Sequence, residues 1–328
     1  MDRFAQFELL VAIADAGNMG RAAEALGMSN AAASRTLAAL EERLKAQLIR
    51  RNTRRLYLTD EGAKFVARAR AILADVADSE AAVNATALNP SGVLRVSASL
   101  SFALQHIAPR LPEYARRYPN VRVHVEAANR YLDLIDNGID VAIRTREFEP
   151  DSNITIRRLA ETRRILAASP AYFARHGRPT HPEDLHRHAL LLYVYANNPY
   201  ELGFTRGAEA VTIPVKGLLE SNDGQILRAA AFKDLGILVQ PTYIVHDDIV
   251  GGRLEPVLDD WDLPRLTVNI AYPSRKHLSA KVRSFIDFMV KQFEANDFAR
   301  KWTARHLART PDPAPALEAV SGTKPRLD

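Results

Sequence analysis

The chain has 328 residues, which is more than one ordinary hydrophobic core accommodates, so two or three domains are expected. Hydrophobic residues make up 47% of it, and the absence of cysteine excludes disulfides and thiolate metal sites. The sequence begins without the apolar core of a signal peptide and has no window near the roughly 18 apolar residues of a membrane span, which predicts a cytoplasmic protein. A net charge of +5 is compatible with an acidic partner without requiring one.

The first 44 residues predict three helices. Apolar side chains recur at helical spacing, Gly17-Asn18 and Gly27 favour breaks, and Ser29 or Asn30 can cap the third helix. Two helices joined by a tight glycine turn form a helix-turn-helix, although a helical hairpin of any all-α domain has a similar pattern. The predicted helices cover residues 2–16, 20–26 and 30–44.

The third helix has one apolar side and one small, polar side. Ala33, Leu37, Leu40 and Leu44 are predicted to face a core. On the other side, alanines allow a close approach and polar groups near the helix start can reach base edges in a major groove. The residues predicted to be exposed there are Ser29, Asn30, Ser34, Arg35 and Thr36.

Residues 48–59 alternate apolar and basic side chains around a turn at 52–54, which predicts a two-stranded wing. Over 43–70 there are nine Lys or Arg and two Asp or Glu, a surplus of seven that suits a polyanion; a solvated basic face without a partner is the alternative. Wing arginines would bind phosphates, whereas Asn30, Ser34 and Arg35 would discriminate between bases. The predicted DNA-binding residues are Arg21, Ser29, Asn30, Ala31, Ser34, Arg35, Arg51, Arg54 and Arg55.

A long helix is predicted over 59–88, about 45 Å at 1.5 Å per residue. Its first turn carries Asp60 and Glu61, where negative charge suits the helix dipole. Pairing with the same helix of another subunit would place two recognition helices about one DNA turn apart and predicts a dyad-symmetric operator. Packing within its own chain is the alternative. The repeating positions of this helix are Phe65, Ala69, Ile72, Val76, Glu80 and Val83.

Residues 1–88 resemble the N-terminal half of the LysR-type transcriptional regulators. The resemblance rests on "AAEALGMSNAAASRTLAALEERL", on "LIRRNTRRLYLTDEG" and on the long helix that follows. The chain departs from the common family pattern in having Asn30-Ala31 in place of Gln-Pro, Lys45 in place of Gly and Ile49 in place of Phe. The resemblance implies a dimer or tetramer that regulates transcription together with RNA polymerase.

After a turn-rich hinge at 89–92 the pattern changes to alternating strands and helices. This βαβαβ order implies a mainly parallel sheet that binds ligands beyond the carboxyl ends of its strands. A second α/β region begins near residue 164, and a final amphipathic helix covers 279–295. In the first region, strands are predicted over 93–98, 121–127 and 141–144, and helices over 101–118 and 131–137.

The resemblance implies a fold for the whole chain. It consists of an N-terminal all-α winged helix-turn-helix with a long linker helix and a C-terminal α/β effector domain of two subdomains, similar to a type 2 periplasmic binding protein. The predicted divisions are a DNA-binding domain (1–58), the dimerising linker helix (59–90), an effector domain (91–300) and a disordered tail (301–328). Subdomain I covers 91–163 and 267–300, and subdomain II covers 164–266.

Candidate effector-binding residues follow strand ends or precede helices. Ser99 and Ser101 lie between a strand and a helix, where hydroxyls and free N–H groups can bind an anion or simply cap the helix. Arg144 and Arg146 indicate a negatively charged ligand unless they pair with neighbouring glutamates. The complete predicted set is Ser99, Ser101, Phe102, Asn129, Arg144, Arg146, Tyr195, Asn222, Asp223 and Gln240.

Sequence motifs do not favour an enzyme or a cofactor. His181, His186 and His188 lie close together without a metal-ligand spacing, and no GxSxG, Walker or dinucleotide fingerprint is present. A transcriptional regulator with a small-molecule effector is therefore the leading interpretation. The alternatives are a solute-binding protein, against which the basic N-terminal part argues, and a DNA-binding oligomer that has no ligand.

Overall fold

The computed structural model describes residues 2–51, 56–83, 90–130, 133–146, 154–274 and 278–307. The chain forms two compact units. Unit 1 comprises residues up to 163 together with 222–225 and 264–303, and unit 2 comprises 164–221, 226–263 and, within the described part, 304–307.

The start of unit 1 is a small helical head, a name used below for the described part of residues 2–58. The three predicted helices and the two-stranded wing are confirmed. The elements are α1 (Arg3–Ala16), α2 (Met19–Ala25), α3 (Asn30–Leu44), β1 (Ile49–Arg51) and β2 (Leu56–Leu58).

Side-chain and backbone caps set the ends of these helices. Asp2 accepts a hydrogen bond from the Phe4 amide, and Gly17 ends α1 in the left-handed conformation at φ 61°. Ser29, rather than Asn30, caps α3. The α3 helix also ends in the left-handed conformation, but there the residue is Lys45, at φ 52°. Because a Cβ is disfavoured in this conformation, Lys45 stores strain that a glycine would not.

The head has a core of its own. Leu9, Leu10 and Ile13 of α1 pack against Leu37 and Leu40 of α3, and all five side chains are at most 3% exposed. The wing contributes through both of its strands, and α4 contributes through its first two turns. Helix α3 packs against α1 and α2, and α1 also packs against α4, so the core side of α3 is fixed by its neighbours.

Helix α4 (Asp60–Val83) follows the wing directly, and its first turn lies close to Leu48. Thr59 caps it by accepting a hydrogen bond from the Gly62 amide at 2.9 Å. A Cβ on Gly62 would lie 2.0 Å from the Leu48 carbonyl oxygen, so only glycine permits this approach. At 24 residues, α4 is about 36 Å long. The predicted continuation over 84–88 lies outside the described residues.

The predicted intersubunit face of α4 divides between two environments. Phe65 packs edge-on against Phe7 of α1, with ring centroids 5.4 Å apart, and Ala69 is 1% exposed. Ile72, by contrast, is 41% exposed. The first part of the repeat therefore serves the chain's own core, which corrects its assignment to a partner, and the side chains of Glu80 and Val83 lie outside the described set.

The rest of unit 1 is a five-stranded sheet in the order β4-β3-β5-β14-β6. The β3 pairs with β4 and β5 are parallel, whereas β14 pairs antiparallel with β5 and β6, so the expectation of a mainly parallel sheet was only half correct. Strand β6 was not predicted from sequence. The strands are β3 (Gly92–Ala98), β4 (Val121–Ala127), β5 (Val141–Arg146), β6 (Ile154–Thr162) and β14 (Leu266–Pro273).

The helices of this sheet also differ from expectation at two places. The helical run after β3 begins at Leu100 and changes type along its length, as α5 (Leu100–Phe102), a π turn (Ala103–Ile107), a 3-10 turn (Ala108–Arg110) and α6 (Leu111–Arg117). The helix predicted over 131–137 is wrong, because residues 134–138 form a turn. There Asp133 accepts from the Asp136 amide at 2.7 Å and Gly138 adopts φ 61°, both of which compete with a helix.

Two helices near the chain end complete unit 1, α10 (Ala280–Ala295) and α11 (Phe298–Thr303). Trp302 is 1% exposed and stacks on Phe298 with centroids 4.8 Å apart. The predicted tail boundary at 301 is therefore too early, since this tryptophan belongs to a core. Residues 222–225 and 264–266, predicted in subdomain II, belong to unit 1.

Unit 2 contains a five-stranded sheet in the order β11-β8-β12-β7-β13 and a separate hairpin of β9 and β10. Its core is formed by side chains such as Leu166, Leu190 and Trp261. The strands are β7 (Arg164–Ala168), β8 (Leu190–Tyr193), β9 (Glu201–Arg206), β10 (Glu209–Pro214), β11 (Gly217–Ser221), β12 (Ile237–Pro241) and β13 (Glu255–Val257). The helices are α7 (Pro170–His176), α8 (Gly224–Ala231), whose first two residues belong to unit 1, and α9 (Thr242–Val250).

We expect Lys45→Gly to stabilise the head by about 0.5–1 kcal/mol, because it removes the left-handed strain at the end of α3 at some cost in chain entropy. Thermal unfolding followed by circular dichroism measures the change. Lys45→Ala is the control, since it removes the same charge but keeps a Cβ in the left-handed conformation. Equal stabilisation by both variants would show that the charge, not the backbone, is responsible.

Candidate DNA interface and effector-binding residues

The first turn of α3 is held by its cap. The Ser29 hydroxyl oxygen accepts a hydrogen bond from the Ala32 amide at 3.2 Å, and the Ser29 backbone is extended, at φ −73° and ψ 150°. Ser29 therefore has a structural role that is independent of any partner. The hydroxyl hydrogen stays directed away from this bond and can donate elsewhere.

The two sides of α3 differ sharply in exposure. Asn30, Ala31 and Arg35 are exposed, as the sequence predicts, whereas Ser34, also predicted to be exposed, is half-buried. Thr36 departs further from the prediction, because it is only 7% exposed. Its position completes an i, i+3, i+4, i+7 pattern with the core residues, which places it on the buried side. The buried residues of this helix are Ala33, Thr36, Leu37 and Leu40.

Helix α2 lies close to the start of α3. A Cβ on Gly20 would be 3.5 Å from the Asn30 side-chain oxygen, an ordinary contact distance, so this residue of α2 is a neighbour of the Asn30 amide. Arg21, a predicted DNA-binding residue, donates from its guanidinium to the Ala16 carbonyl oxygen at 2.7 Å. Arg21 therefore caps the end of α1, a role that the sequence analysis did not identify.

The wing presents one basic and one aromatic side chain on its outer face. Arg50 and Tyr57 are cross-strand partners in the antiparallel pair, and both are exposed. Ile49, which alternates with them, is 3% exposed and packs into the head. Arg54 and Arg55 lie outside the described residues, as does the side chain of Arg51, so their predicted contacts with phosphate stay predictions.

Glu41 fixes the wing to α3. Its Oε1 accepts hydrogen bonds from the Leu48 amide at 2.7 Å and from the Ile49 amide at 3.0 Å. Both amides belong to residues that are at most 3% exposed, so no water replaces the carboxylate readily. The sequence does hold a signal for this role: Glu41 is an acidic residue on a helix that is predicted to bind a polyanion, so its carboxylate needs a partner within the protein.

The basic stretch 43–70 does not act as a single surface. Arg43 donates to the Gln6 side chain at 2.9 Å, Arg68 pairs with Asp136 at 3.2 Å, and Arg70 pairs with Asp15. Lys45, Arg50 and Lys64 are exposed. Within the described side chains, three of these basic residues therefore make contacts within the fold, and Lys45, Arg50 and Lys64 are presented to solvent.

The predicted effector-binding residues of unit 1 meet at the end of β3. The Ser99 hydroxyl caps the helical run by accepting from the Phe102 amide at 3.2 Å. Asn129, after β4, accepts from the Leu100 amide at 3.1 Å and donates to the Asp223 carboxylate at 2.7 Å. Three segments far apart in sequence are thus joined at one edge of the sheet.

Other members of this set are buried or lie inside a strand. Ser101 is 3% exposed and Phe102 is 1% exposed, and the helix cap is Ser99, not Ser101. Arg144 and Arg146 belong to β5 itself, where they pair with Asn269 and Thr267 of β14. Arg144 is 4% exposed. Its predicted alternative partners at 147 and 149 lie outside the described residues.

Asn222 is exposed, and it precedes the buried Asp223 in the short segment of unit 1 that interrupts unit 2. In unit 2, Tyr195 is 39% exposed and Gln240 is 1% exposed. The side-chain nitrogen of Gln240 is buried without a hydrogen-bond partner within the described part of the chain. Their shared role with the unit 1 residues stays a prediction.

The three histidines lie in different surroundings. His181 stands edge-on to Trp261 with ring centroids 5.3 Å apart, His188 lies 3.2 Å from the Tyr172 hydroxyl, and His186 is exposed. Over the described ranges, no three His, Asp or Glu side chains gather as a metal site. No helix in the described part is long and apolar enough to cross a bilayer.

Two family models match the chain. One, described as "Bacterial regulatory helix-turn-helix protein, lysR family", matches residues 4–63, and the other, "LysR substrate binding domain", matches residues 88–294. The "HTH-type transcriptional regulator CrgA" of Neisseria meningitidis is 33% identical over 294 residues, which cover 89% of this chain and 97% of that protein. The chain belongs to the LysR family of transcriptional regulators.

Further comparisons agree with this LysR-type assignment. The regulator DmlR of Escherichia coli is 34% identical over 272 residues, 83% of this chain and 88% of that protein. The solved structure of CrgA matches with a TM-score of 0.58 at 31% identity and covers 89% of this chain and 99% of that one. The family and the fold expected from sequence are therefore confirmed, and the relatives are named as regulators of transcription, not as enzymes.

We expect Glu41→Ala to destabilise the head by about 1–3 kcal/mol, because it leaves the buried amides of Leu48 and Ile49 without an acceptor. Chemical denaturation of the full chain measures the effect. Glu42→Ala is the matched control, since Glu42 is the exposed neighbour on the same helix. If the two variants were equally stable, the carboxylate would not hold the wing.

Proposed function

We propose that this LysR-type regulator binds a dyad-symmetric operator as a homodimer or homotetramer, with α3 in the major groove and the wing on the phosphates. A small-molecule, anionic effector changes that binding, and the changed binding alters transcription by RNA polymerase. The observation that carries the proposal is the exposed first half of α3, where Asn30, Ala31 and Arg35 reach solvent while the opposite side is fixed in a core.

The two kinds of DNA contact have different support. Arg35 has a long, planar donor group on the exposed side of α3, which suits bidentate recognition of guanine. Asn30 offers an amide at the helix start, and Ser34 a hydroxyl beside it. Arg50 and Tyr57 stand on the outer face of the wing, and both side chains are able to donate hydrogen bonds to phosphate oxygens.

Pairing of α4 across a dimer is supported by its length and by Ile72. Ile72 is 41% exposed on this 24-residue helix, and pairing with a second copy of the helix would bury it. A twofold axis between the two helices would present two α3 helices to one face of the duplex. This requirement is the physical basis of the dyad-symmetric operator.

The anionic nature of the effector is supported by charge. Arg144 and Arg146 are two positions apart and therefore lie on the same face of β5. Ser99 stands at the end of the adjacent strand β3. The Asp223 carboxylate beside Asn129 repels an anion, so we expect the negative group of the effector nearer to the arginines. A ligand that has a carboxylate for the arginines and a hydrogen-bond donor for Asp223 would fit these residues.

We expect Arg35→Ala to relax base preference. We expect Arg54→Ala to weaken binding to all sequences and, because one phosphate contact is lost, to lower the slope of log affinity against log salt concentration by about one. Binding to a duplex selected from a random-sequence pool, and to a scrambled duplex, is measured over a range of salt concentrations. Arg300→Ala is the control, since Arg300 lies in α11 with 85% of its side chain exposed. An unchanged slope for Arg54→Ala would exclude its role at phosphate.

We expect the double variant Ser99→Ala, Ser101→Ala to lose its response to effector while it keeps operator binding. Calorimetry of the full chain against a panel of small organic acids measures the response. Because Ser99 is also a helix cap, Ser279→Ala is the control; it removes the cap of α10, whose bond to the Val282 amide is 3.4 Å long. A panel in which no acid binds the unsubstituted protein would favour the alternative of a DNA-binding oligomer without a ligand.

A further inference from the structure

Three charged side chains from three separate elements meet beside the head. Asp15 lies in the last turn of α1, Arg70 lies in α4, and Arg95 lies in β3 of the first sheet. The Asp15 Oδ1 atom accepts hydrogen bonds from the Nη2 groups of both arginines, at 3.4 Å in the case of Arg95. One carboxylate therefore joins the head, the linker helix and the sheet.

Helix α4 makes a second set of contacts, with the turn that precedes β5. The turn around Gly138 lies so close to α4 that a Cβ there would be 3.9 Å from both the Ala67 carbonyl oxygen and the Arg70 Cδ atom. Two residues earlier in this turn, Asp136 pairs with Arg68 at 3.2 Å. The contact at Asp15 is thus accompanied by a second contact between α4 and the domain that carries the sheet.

Strand β3 is itself firmly held at this point. The Asp140 carboxylate accepts from the Arg95 amide at 2.8 Å and from the Lys281 Nζ at 3.1 Å. The Lys281 Nζ also donates to the Val93 carbonyl oxygen at 2.6 Å. Arg95 therefore extends from a fixed backbone, so its guanidinium can hold the position of Asp15.

Because the guanidinium groups of Arg70 and Arg95 are mostly buried, they need the negative charge of Asp15 between them. The side chains of Arg70 and Arg95 are 23% and 20% exposed, whereas Asp15 is 51% exposed. Burial lowers the pKa of Arg70, the neighbouring positive charge of Arg95 lowers it further, and Asp15 opposes both effects. Without Asp15, two like charges would share a partly buried space and would lose the carboxylate that binds both of them.

We propose that Asp15, Arg70 and Arg95 are positioning residues that fix the DNA-binding head on the sheet of its own subunit and thereby set the distance between the two half-sites that the protein accepts. This inference rests on the proposed function, because it concerns the operator described there. Two heads held in place engage both half-sites without an ordering cost, whereas a head freed from the sheet pays that cost on binding.

The first test compares binding of Asp15→Asn to two duplexes. One is selected by the unsubstituted full-length protein from a random-sequence pool, and the other is the same duplex with one half-site scrambled. We expect Asp15→Asn to lower affinity 5-fold or more for the intact duplex and to change it less than 2-fold for the half-site duplex. Inserting one or two base pairs between the half-sites should weaken binding less for Asp15→Asn than for the unsubstituted protein. Asp15→Glu should recover most of the loss.

A matched control removes the trivial effect of charge. Asp287→Asn deletes one carboxylate from an ion pair with Arg157 that is also 3.4 Å long, but that pair joins β6 to α10 within the sheet layer. Both variants make the protein more positive by one charge, which by itself favours binding to DNA. A loss confined to Asp15→Asn therefore has the opposite sign to the general electrostatic effect.

The second test measures position without DNA. The chain contains no cysteine, so spin labels can be attached through Glu8→Cys on α1 and Arg122→Cys on β4, both of which are exposed positions. Labelled subunits are diluted with unlabelled ones, and the distance distribution within one subunit is recorded by pulsed electron paramagnetic resonance. We expect the distribution to broaden when Asp15→Asn is added and to stay unchanged when Asp287→Asn is added.

The outcomes separate this inference from the proposed function. If the unsubstituted protein selects no duplex, the proposed function fails, and the spin-label measurement still decides whether Asp15 fixes the head. If Asp15→Asn and Asp287→Asn behave alike in both tests, the inference is overturned. Equal losses on the intact and half-site duplexes with an unchanged distance distribution would also overturn it.

Discussion

The packing of α3 on its own head is the constraint on which the rest depends. Leu37 and Leu40 are at most 3% exposed, and burying one leucine contributes about 1.5–3 kcal/mol. A good base contact discriminates by about 1–3 kcal/mol, so turning α3 to improve one contact would cost more than the contact provides. The helix is therefore presented as a rigid element whose exposed residues are decided by the core side. The cap at Ser29 and the carboxylate of Glu41 add to this rigidity at its two ends.

Local signals predicted the head well and the sheets only in part. The ends of α1 and α3 follow from residues that act within one turn, namely Gly17 and Ser29, so the sequence carries them directly. Thr36 was misassigned because polarity was weighed above its position in the helical period. The helix expected over 131–137 failed because Asp133 and Gly138 favour a turn. Strand β6 and the antiparallel place of β14 depend on pairing between segments distant in sequence, which no local pattern encodes.

The site residues show the same division between local and distant information. The exposure of Asn30, Ala31 and Arg35 follows from helix periodicity and was predictable. The bond from Asn129 to Asp223 joins residues 94 positions apart, and it could be anticipated only through the resemblance to the LysR family. Charge counting was the weakest guide, since it could not distinguish Arg50 on the outer face of the wing from Arg43 and Arg70, whose guanidinium groups bind Gln6 and Asp15. A basic residue contributes to DNA binding only where the fold leaves its head group unused.

Regulation requires that the effector domain and the head respond to each other. An effector changes operator affinity only by binding two arrangements of the protein unequally, which is typically about 1–3 kcal/mol of coupling. A contact that transmits such a change must be stable enough to hold one arrangement and weak enough to be broken by that energy. An exposed ion pair contributes about 0–1 kcal/mol, and burial of a pair adds a desolvation cost to its attraction. The Asp15 carboxylate is half-exposed, so water can solvate it when it leaves the two mostly buried guanidinium groups. Its place at the junction of α1, α4 and β3 is therefore suited to switching as well as to positioning.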